Sequence, residues 1–286
     1  MTHEQNLVQG SPEWLAMRKK YIGASDCPII MGVSPYKTPY QLFLEKLDLV
    51  EKQETTKAMQ RGHDMEPEAR AAFIELTGIN VSPLVAFDKQ YTWRMASLDG
   101  ISEDGKNIVE IKCVNAVDHE TAQKGGVPEK YIPQIQHQMA VCNLEKAYYY
   151  SYNGVNNALV IVPRDDDYVD VLTEKELEFW CRMQSFDPPP MTCKDYIYRD
   201  DKQWEVAMYQ YNDAKCALVH AEACAEQAKQ VLIDLAAGQS CKSEAGSLAM
   251  IPRRGAIQYD KIPELKNVDL EKFRKEKTVS WRINLK

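Results

Sequence analysis

No apolar run in these 286 residues approaches the ~20 that span a bilayer. The polar opening MTHEQNLVQG also lacks the pattern of a secretory leader, so a cytosolic chain that does not engage a membrane is expected. C-x-x-C is missing as well. The eight cysteines, at positions 27, 113, 142, 181, 193, 216, 224 and 241, are dispersed, which argues against a zinc ribbon or a clustered iron–sulfur site and for reduced, mostly buried thiols. Nor is there an excess of positive charge: the net charge of −7 speaks against a protein that coats nucleic acid indiscriminately. The distribution says more than the sum. Residues 61 to 188 hold 12 basic and 21 acidic side chains, whereas residues 253 to 286 hold ten basic and five acidic ones. An acidic middle fits a metal site, and a basic end offers a surface for phosphates.

What is present centres on TWRMASLDGISEDGKNIVEIKC, from Thr92 to Cys113, which reads as a β-hairpin turning at Asp104-Gly105. Counting outward from that two-residue loop pairs Ile101 with Ile108, Asp99 with Glu110 and Ser97 with Lys112. Ser97, Asp99, Ile101, Ile108, Glu110 and Lys112 then share one face, and Ala96, Leu98, Val109, Ile111 and Cys113 share an apolar, buried face. Two carboxylates roughly 5 Å apart across a hairpin repel each other unless a cation lies between them. A hard divalent ion such as Mg²⁺ answers that need, and Lys112, about 6.6 Å further along the strand, is close enough to serve the attacking water. The plainer reading of Glu110-x-Lys112 is a surface strand with scattered charges.

Further residues stand out in chain order. SPEWLAMRKK starts a helix with Ser11 as N-cap and Arg18 near its end. A short helix begins near Ser25-Asp26, where Ser25 either caps the helix or offers a hydroxyl beside free N–H groups to an anion. Thr38-Pro39 caps a third helix through Leu47. A helix from about Thr55 to Leu76 places Glu66 on a face with Met59, Gly62, Ala69 and Phe73; a carboxylate there needs a partner, either Arg70 or a metal. Pro133 opens a helix with Gln134 and Gln138 on one side. Tyr148 to Tyr152, Ala158 to Val162 and Tyr168 to Leu172 read as strands, and a Thr173-x-x-Glu176 capping box starts a helix through Met183. Asp187 and three prolines break the chain. A long helix then runs from about Asp201 to Ala237 with an alanine-rich seam that needs a partner: its own core, the terminal segment or another subunit. The tail, including SLAMIPRRGAIQYD, LEKFRKEK and TVSWRINL, reads as short strands around a basic helix.

Asp99 with Glu110-Ile111-Lys112 resembles the PD-(D/E)XK nuclease pattern, and GSPEWLAMRKKYIGASDCPIIMGVSPYKTPYQLFLEKL resembles the start of phage lambda-type exonucleases, the YqaJ-like viral recombinase family. The resemblance implies an α/β (α+β) fold, with a central mixed sheet flanked by helices in a restriction-endonuclease-like core. That core is expected over residues 1–187, with the long helix and a small α/β extension over 191–286. It also implies Mg²⁺, with Mn²⁺ able to substitute, held by Asp99, Glu110, Glu66 and the Ile111 carbonyl, with no zinc and no iron–sulfur cluster. Lys112 would activate or orient the nucleophile, and Gln134 of Tyr131-x-x-Gln134-x-Gln136 would reach the active site, with Gln136, His137 and Gln138 around it. Arg18 and Ser25 would hold a terminal 5′-phosphate. The implied activity is 5′-to-3′ digestion of one strand at double-stranded DNA ends, leaving 3′ overhangs for a single-strand-annealing recombinase. A phage- or prophage-encoded enzyme in the cytoplasm of a bacterial host, as a trimeric ring, is part of the same expectation. An endonuclease or the nuclease subunit of a repair complex is the first alternative; a catalytically silent DNA-end-binding protein is the second.

Overall fold

A computed structural model describes residues 2–3, 7, 9–50, 56–113 and 116–251. The tail expected to form a basic helix and short strands lies, from residue 252 on, outside the described residues. The chain divides into two compact units, Met1–Tyr196 and Ile197–Lys286.

The first unit is built on a seven-stranded mixed sheet. Along its main path the order is β1 (Thr2–His3), β3 (Val81–Phe87), β4 (Arg94–Ser102), β5 (Ile108–Cys113), β6 (Lys146–Tyr152) and β7 (Asn157–Pro163), with β2 (Ile22–Gly23) adding to β4. β5 and β6 run parallel, as do β2 and β4, and the other neighbours are antiparallel. Helices cover both faces. On one, Ala69 and Phe73 of α4 (Lys57–Thr77) pack on Val81, Val109, Ile111 and Tyr150. On the other, Ala122 of α5 (Ala116–Gln123) and Ile135 and Met139 of α6 (Ile132–Cys142) pack with Leu98, Ile101, Ile108 and Tyr149. The alternation of Tyr149 and Tyr150 between the two cores is the period-2 signature of a strand buried on both sides.

A third core joins the N-terminal elements to the last helix of the unit. Ser11 caps α1 (Pro12–Lys20) by accepting the Trp14 N–H, and Thr38 with Gln41 forms a capping box on α3 (Pro39–Lys46). Between them lie β2, a 3₁₀ turn (Ala24–Asp26) and α2 (Cys27–Ile30). Their Ile22, Cys27 and Phe43 pack with Trp93 and with Leu172 and Phe179 of α7 (Asp166–Ser185).

Three expectations are corrected. The thiols are not mostly buried: Cys27 and Cys142 are buried and Cys113 is half-buried, but Cys181, Cys193, Cys216, Cys224 and Cys241 are exposed. The strand read over Tyr168 to Leu172 is part of α7, because Asp165 accepts the Tyr168 N–H at 3.0 Å and caps the helix eight residues earlier than Thr173 would. Thr173 sits inside the helix and donates to the Val169 carbonyl instead of capping. The hairpin turn is also wider than two residues. The Ser102 N–H donates to the Asn107 carbonyl at 2.9 Å, so Glu103 to Lys106 form the loop, with only Gly105 at positive φ, 68°. Side chains stabilise this form: Ser102 Oγ donates to Asp104 Oδ1 and accepts the Asn107 N–H.

The second unit contains α8 (Lys202–Ala236), which Asp201 caps, and the hairpin β8 (Cys241–Ser243) with β9 (Gly246–Leu248). Trp204, Leu218, Leu232 and Leu235 of the α8 seam are exposed. No helix among the described residues is long and apolar enough to cross a membrane.

Candidate active site

The expected register survives the wider turn, since Ile101 pairs with Ile108 and Gly100 with Val109. The faces do not. Between the pairs Ser82–Ile101 and Leu84–Leu98, β3 advances by two residues and β4 by three, so β4 carries a one-residue bulge at Asp99-Gly100. Leu98 and Ile101 consequently both face α6, and Val109 and Ile111 lie on the α4 side rather than with Leu98. Asp99 is no simple ladder partner of Glu110; its Oδ2 accepts the Ile111 N–H at 2.8 Å, so a side chain satisfies a strand donor.

Gly100 is where the bulge needs space. A Cβ there would lie 2.8 Å from Val109 Cγ1 and 2.8 Å from Val81 Cγ2. Gly100→Ala is therefore expected to cost about 1–3 kcal/mol by overpacking and to shift Asp99 with it. Paired urea unfolding and cleavage measurements check this, and wild-type values in both would show that the bulge has slack.

Glu110 is 1% exposed and faces α6. Its Oε1 accepts from Gln134 Nε2 at 2.6 Å and pairs with Lys112 Nζ, and its Oε2 accepts from Gln138 Nε2 at 2.5 Å. The i, i+4 amides of α6 thus meet the same carboxylate from two sides. Burial and the neighbouring Glu110 push the Asp99 carboxyl well above its ordinary range, with Glu66 adding to the rise and Lys112 opposing it. Burial alone would lower the Lys112 ammonium, but Glu110 and Asp99 outweigh it and raise it. Glu66 is paired with Arg70, the structural partner that its place on the helix allowed. Arg70 does more than that: its Nε donates to the Asp99 carbonyl at 2.7 Å and ties α4 to the bulge. Sequence reading named Arg70 only as a partner for Glu66, since nothing local signals a bond to a strand 29 residues away.

The three carboxylates, with the Ile111 carbonyl next to Glu110 on β5, offer hard oxygen donors of the type that Mg²⁺ or Mn²⁺ takes. The unfavourable charge on Asp99 is the observation that fits a cation there.

Arg18 and Ser25 also meet. Arg18 Nη2 donates to Ser25 Oγ at 2.7 Å, and its guanidinium lies over the Trp14 ring, 4.9 Å from the centroid. Trp14 Nε1 donates to Ser97 Oγ at 2.8 Å, two residues before Asp99. One indole therefore joins the pair to the carboxylate strand, a link carried by the fold and not by spacing.

The remaining α6 polar residues serve the scaffold. Gln136 donates to the Pro163 carbonyl and accepts the Asp165 N–H. His137 Nε2 lies 2.9 Å from the Met95 carbonyl, to which it donates, and Nδ1 lies 2.7 Å from Glu176 Oε1. Cys27 donates to that same oxygen at 3.0 Å, and Arg94 Nε lies 2.9 Å from Glu176 Oε2 in an ion pair bent away from hydrogen-bond geometry. Cys27, His137 and Glu176 hold ligand atoms within 4.8 Å of one another, but Arg94 already supplies the balancing charge.

The fold is exonuclease-like. Over 62% of its length the chain is similar to the crystal structure of LHK-Exo, an alkaline exonuclease from Laribacter hongkongensis, at 28% identity and a TM-score of 0.55, covering 94% of that protein. The complex of LHK-Exo with dAMP matches at 27% identity and the same TM-score, 0.55, over the same shares of both chains, 62% and 94%. Residues 13–145 match the YqaJ-like viral recombinase domain, and every candidate site residue lies within that stretch. The protein YqaJ of Bacillus subtilis (strain 168), itself uncharacterized, is 32% identical over 182 residues, which are 62% of this chain and 57% of that relative's length.

Proposed function

We propose that this protein is a divalent-metal-dependent exonuclease that digests the 5′ strand of double-stranded DNA ends and leaves 3′ overhangs. The observation that carries the reading is the Trp14 link, which ties a donor pair suited to a terminal phosphate to the strand that carries Asp99, a carboxylate whose charge burial, Glu110 and Glu66 disfavour. Asp99, Glu110, Glu66 and the Ile111 carbonyl would hold Mg²⁺, with Mn²⁺ as a substitute. The ion would supply Lewis-acid activation of water and neutralise charge at the phosphate. Gln134 and Gln138 fix the Glu110 carboxylate, so that it would hold an ion without reorganising. Lys112 is kept protonated by its carboxylate neighbours, so it orients the nucleophile by donating. The dAMP complex of LHK-Exo is in keeping with a mononucleotide product. Downstream, the overhang would serve a single-strand-annealing recombinase, and a ring of three copies is the assembly that the resemblance implies.

Linear and closed circular duplex in Mg²⁺ test the activity. Digestion of the linear form alone is expected; cutting of the circle would favour an endonuclease, and end binding without cutting a silent end-binding protein. For the polarity, the Arg18 fork and the Ser25 hydroxyl should reward a phosphorylated 5′ end. Each charge-assisted bond contributes about 1.5–3 kcal/mol, so removing the phosphate should slow digestion by roughly tenfold or more. Arg18→Ala should bring the rate on the 5′-phosphorylated duplex down towards that on the 5′-hydroxyl duplex while Mg²⁺ dependence stays the same. A full phosphate preference in Arg18→Ala would leave Arg18 as a helix-end residue only.

A further inference from the structure

Behind Arg18 lies a buried carboxylate that should, on charge alone, compete with any phosphate for the guanidinium. Asp26 is 2% exposed, and its Oδ1 lies 3.6 Å from Arg18 Nη2. An arginine in full contact with a carboxylate presents little net charge to an incoming anion. Here the contact is not full, because a second cation is closer. Lys46, at the end of α3 and 8% exposed, places Nζ 2.5 Å from Asp26 Oδ2, and the same oxygen accepts the Gly23 N–H at 2.8 Å. The other two donors of Lys46 are used on main-chain carbonyls, Arg18 O at 2.5 Å and Tyr21 O at 2.7 Å. All three protons of the ammonium are thus committed, and none is directed to a ligand.

From this geometry we infer that Lys46 is a specificity-positioning residue: by neutralising Asp26 it leaves the charge of Arg18 free for the terminal phosphate, and by holding the Arg18 and Tyr21 carbonyls it fixes where α1 presents that side chain. The inference rests on the terminal-phosphate reading of Arg18 and Ser25 and adds what makes that pair selective. Three charges are gathered, Arg18 and Lys46 positive and Asp26 negative, and the sum is one positive charge. The distances decide which cation spends its charge inward. Lys46 is in direct contact with the carboxylate, while Arg18, a third of its side chain exposed, directs Nη2 to Ser25. Without Lys46 the buried carboxylate would have only Arg18 to pair with, and the pocket would present a neutral pair. Burial alone would raise the Asp26 carboxyl, but Lys46 and then Arg18 hold it below its ordinary range, so it is a full charge that must be balanced. Asp26 is therefore a liability that one lysine neutralises, and the effect of removing Lys46 should be reversed by removing Asp26 as well.

Wild type, Lys46→Met, Asp26→Asn and the double variant are compared on 5′-phosphorylated and 5′-hydroxyl duplexes, by binding in EDTA and by digestion in Mg²⁺. The quantity read is the phosphate-to-hydroxyl ratio, which is insensitive to a partly unfolded preparation because both substrates meet the same protein. Lys46→Met should reduce the ratio from roughly tenfold towards unity, through Kd and KM rather than kcat. The double variant should recover it to within about threefold of wild type, which a merely structural role of Lys46 would not do. Asp26→Asn alone should keep the ratio at or above the wild-type value, and this variant tests the inference even if Lys46→Met does not fold. An unchanged ratio in Lys46→Met, no recovery in a folded double variant, or a ratio near unity in Asp26→Asn would each overturn the inference. A wild type with no phosphate preference would instead overturn the Arg18–Ser25 pocket, and the inference with it.

Discussion

Asp99→Asn and Glu110→Gln proteins are expected to lose cleavage by at least about 10³-fold, equivalent to some 4 kcal/mol of transition-state stabilisation. The two should differ in stability. Asp99 is held at a cost, since burial and Glu110 disfavour its charge, and an asparagine keeps an oxygen for the Ile111 N–H. Asp99→Asn should therefore fold at least as well as wild type in the absence of metal. Glu110 is the shared acceptor of Gln134, Gln138 and Lys112, and Glu110→Gln removes the charge on which these donors converge. It should be less stable by about 1–3 kcal/mol. A fluorescence assay of linear duplex digestion in Mg²⁺, with urea unfolding of each protein in EDTA, reads both quantities. Substantial Mg²⁺-dependent digestion by purified Asp99→Asn would sink the site assignment. Lys112→Ala should lose turnover yet bind metal as wild type does; a loss of metal affinity as severe as in the carboxylate variants would show that it does not act on the nucleophile.

How much of this was legible depended on whether a residue's partner was local. Asp104-Gly105 set the pairing of Ile101 with Ile108, because the register of a hairpin is countable from its turn, although the turn itself proved wider. The bulge at Asp99-Gly100 is not countable from the hairpin turn, because it is defined against β3, whose sequence VSPLVAF carries a proline that masks its strand character. Pro83 sits within β3, between the pairs Ser82–Ile101 and Leu84–Leu98, where the bulge interrupts the ladder and a missing N–H is tolerated. The same residue that hid the strand marks the irregularity that sets the site. The amides of α6 were legible in spacing but not in role: Gln134 and Gln138 at i and i+4 share a face, and only the packing of α6 on β5 turns that face towards Glu110. YVDVL, by contrast, has the alternation of a strand, and three acids at 165–167 favour a helix start strongly enough to override it. Helix α8, Lys202–Ala236, lies within one residue of the expected Asp201 to Ala237 at each end, because helix length and its stop are local properties.

Glu176 is the case with no local signal, and its removal should have the largest effect on stability. Read from sequence it closed a capping box; in the fold it is 0% exposed and joins four elements, through Cys27 of α2, Arg94 of β4, His137 of α6 and its own α7. Glu176→Gln keeps the volume and removes the charge, leaving the buried Arg94 guanidinium with Asp88, 3.6 Å away, as its remaining carboxylate neighbour. Breaking one partner out of a buried ion pair costs about 3–5 kcal/mol, which for a unit of this size lowers the thermal midpoint by roughly 6–20 °C. The pH dependence follows from the direction of the shift. Burial alone would raise the Glu176 carboxyl, but His137 and Arg94 outweigh it and lower it below its ordinary 4.5. A lowered acid binds fewer protons folded than unfolded, so its contribution is complete above about 4.5 and is lost as the pH falls through the lower folded value. Wild type and Glu176→Gln should therefore differ by the full amount at neutral pH and converge in acid, with the wild type carrying the steeper acid limb. Unfolding midpoints from neutral pH down to pH 3 check this. A difference that stays constant over that range would mean that Glu176→Gln acts by disturbing the packing of α7 against α2 and α6, and that the carboxylate charge contributes nothing to holding the four elements together.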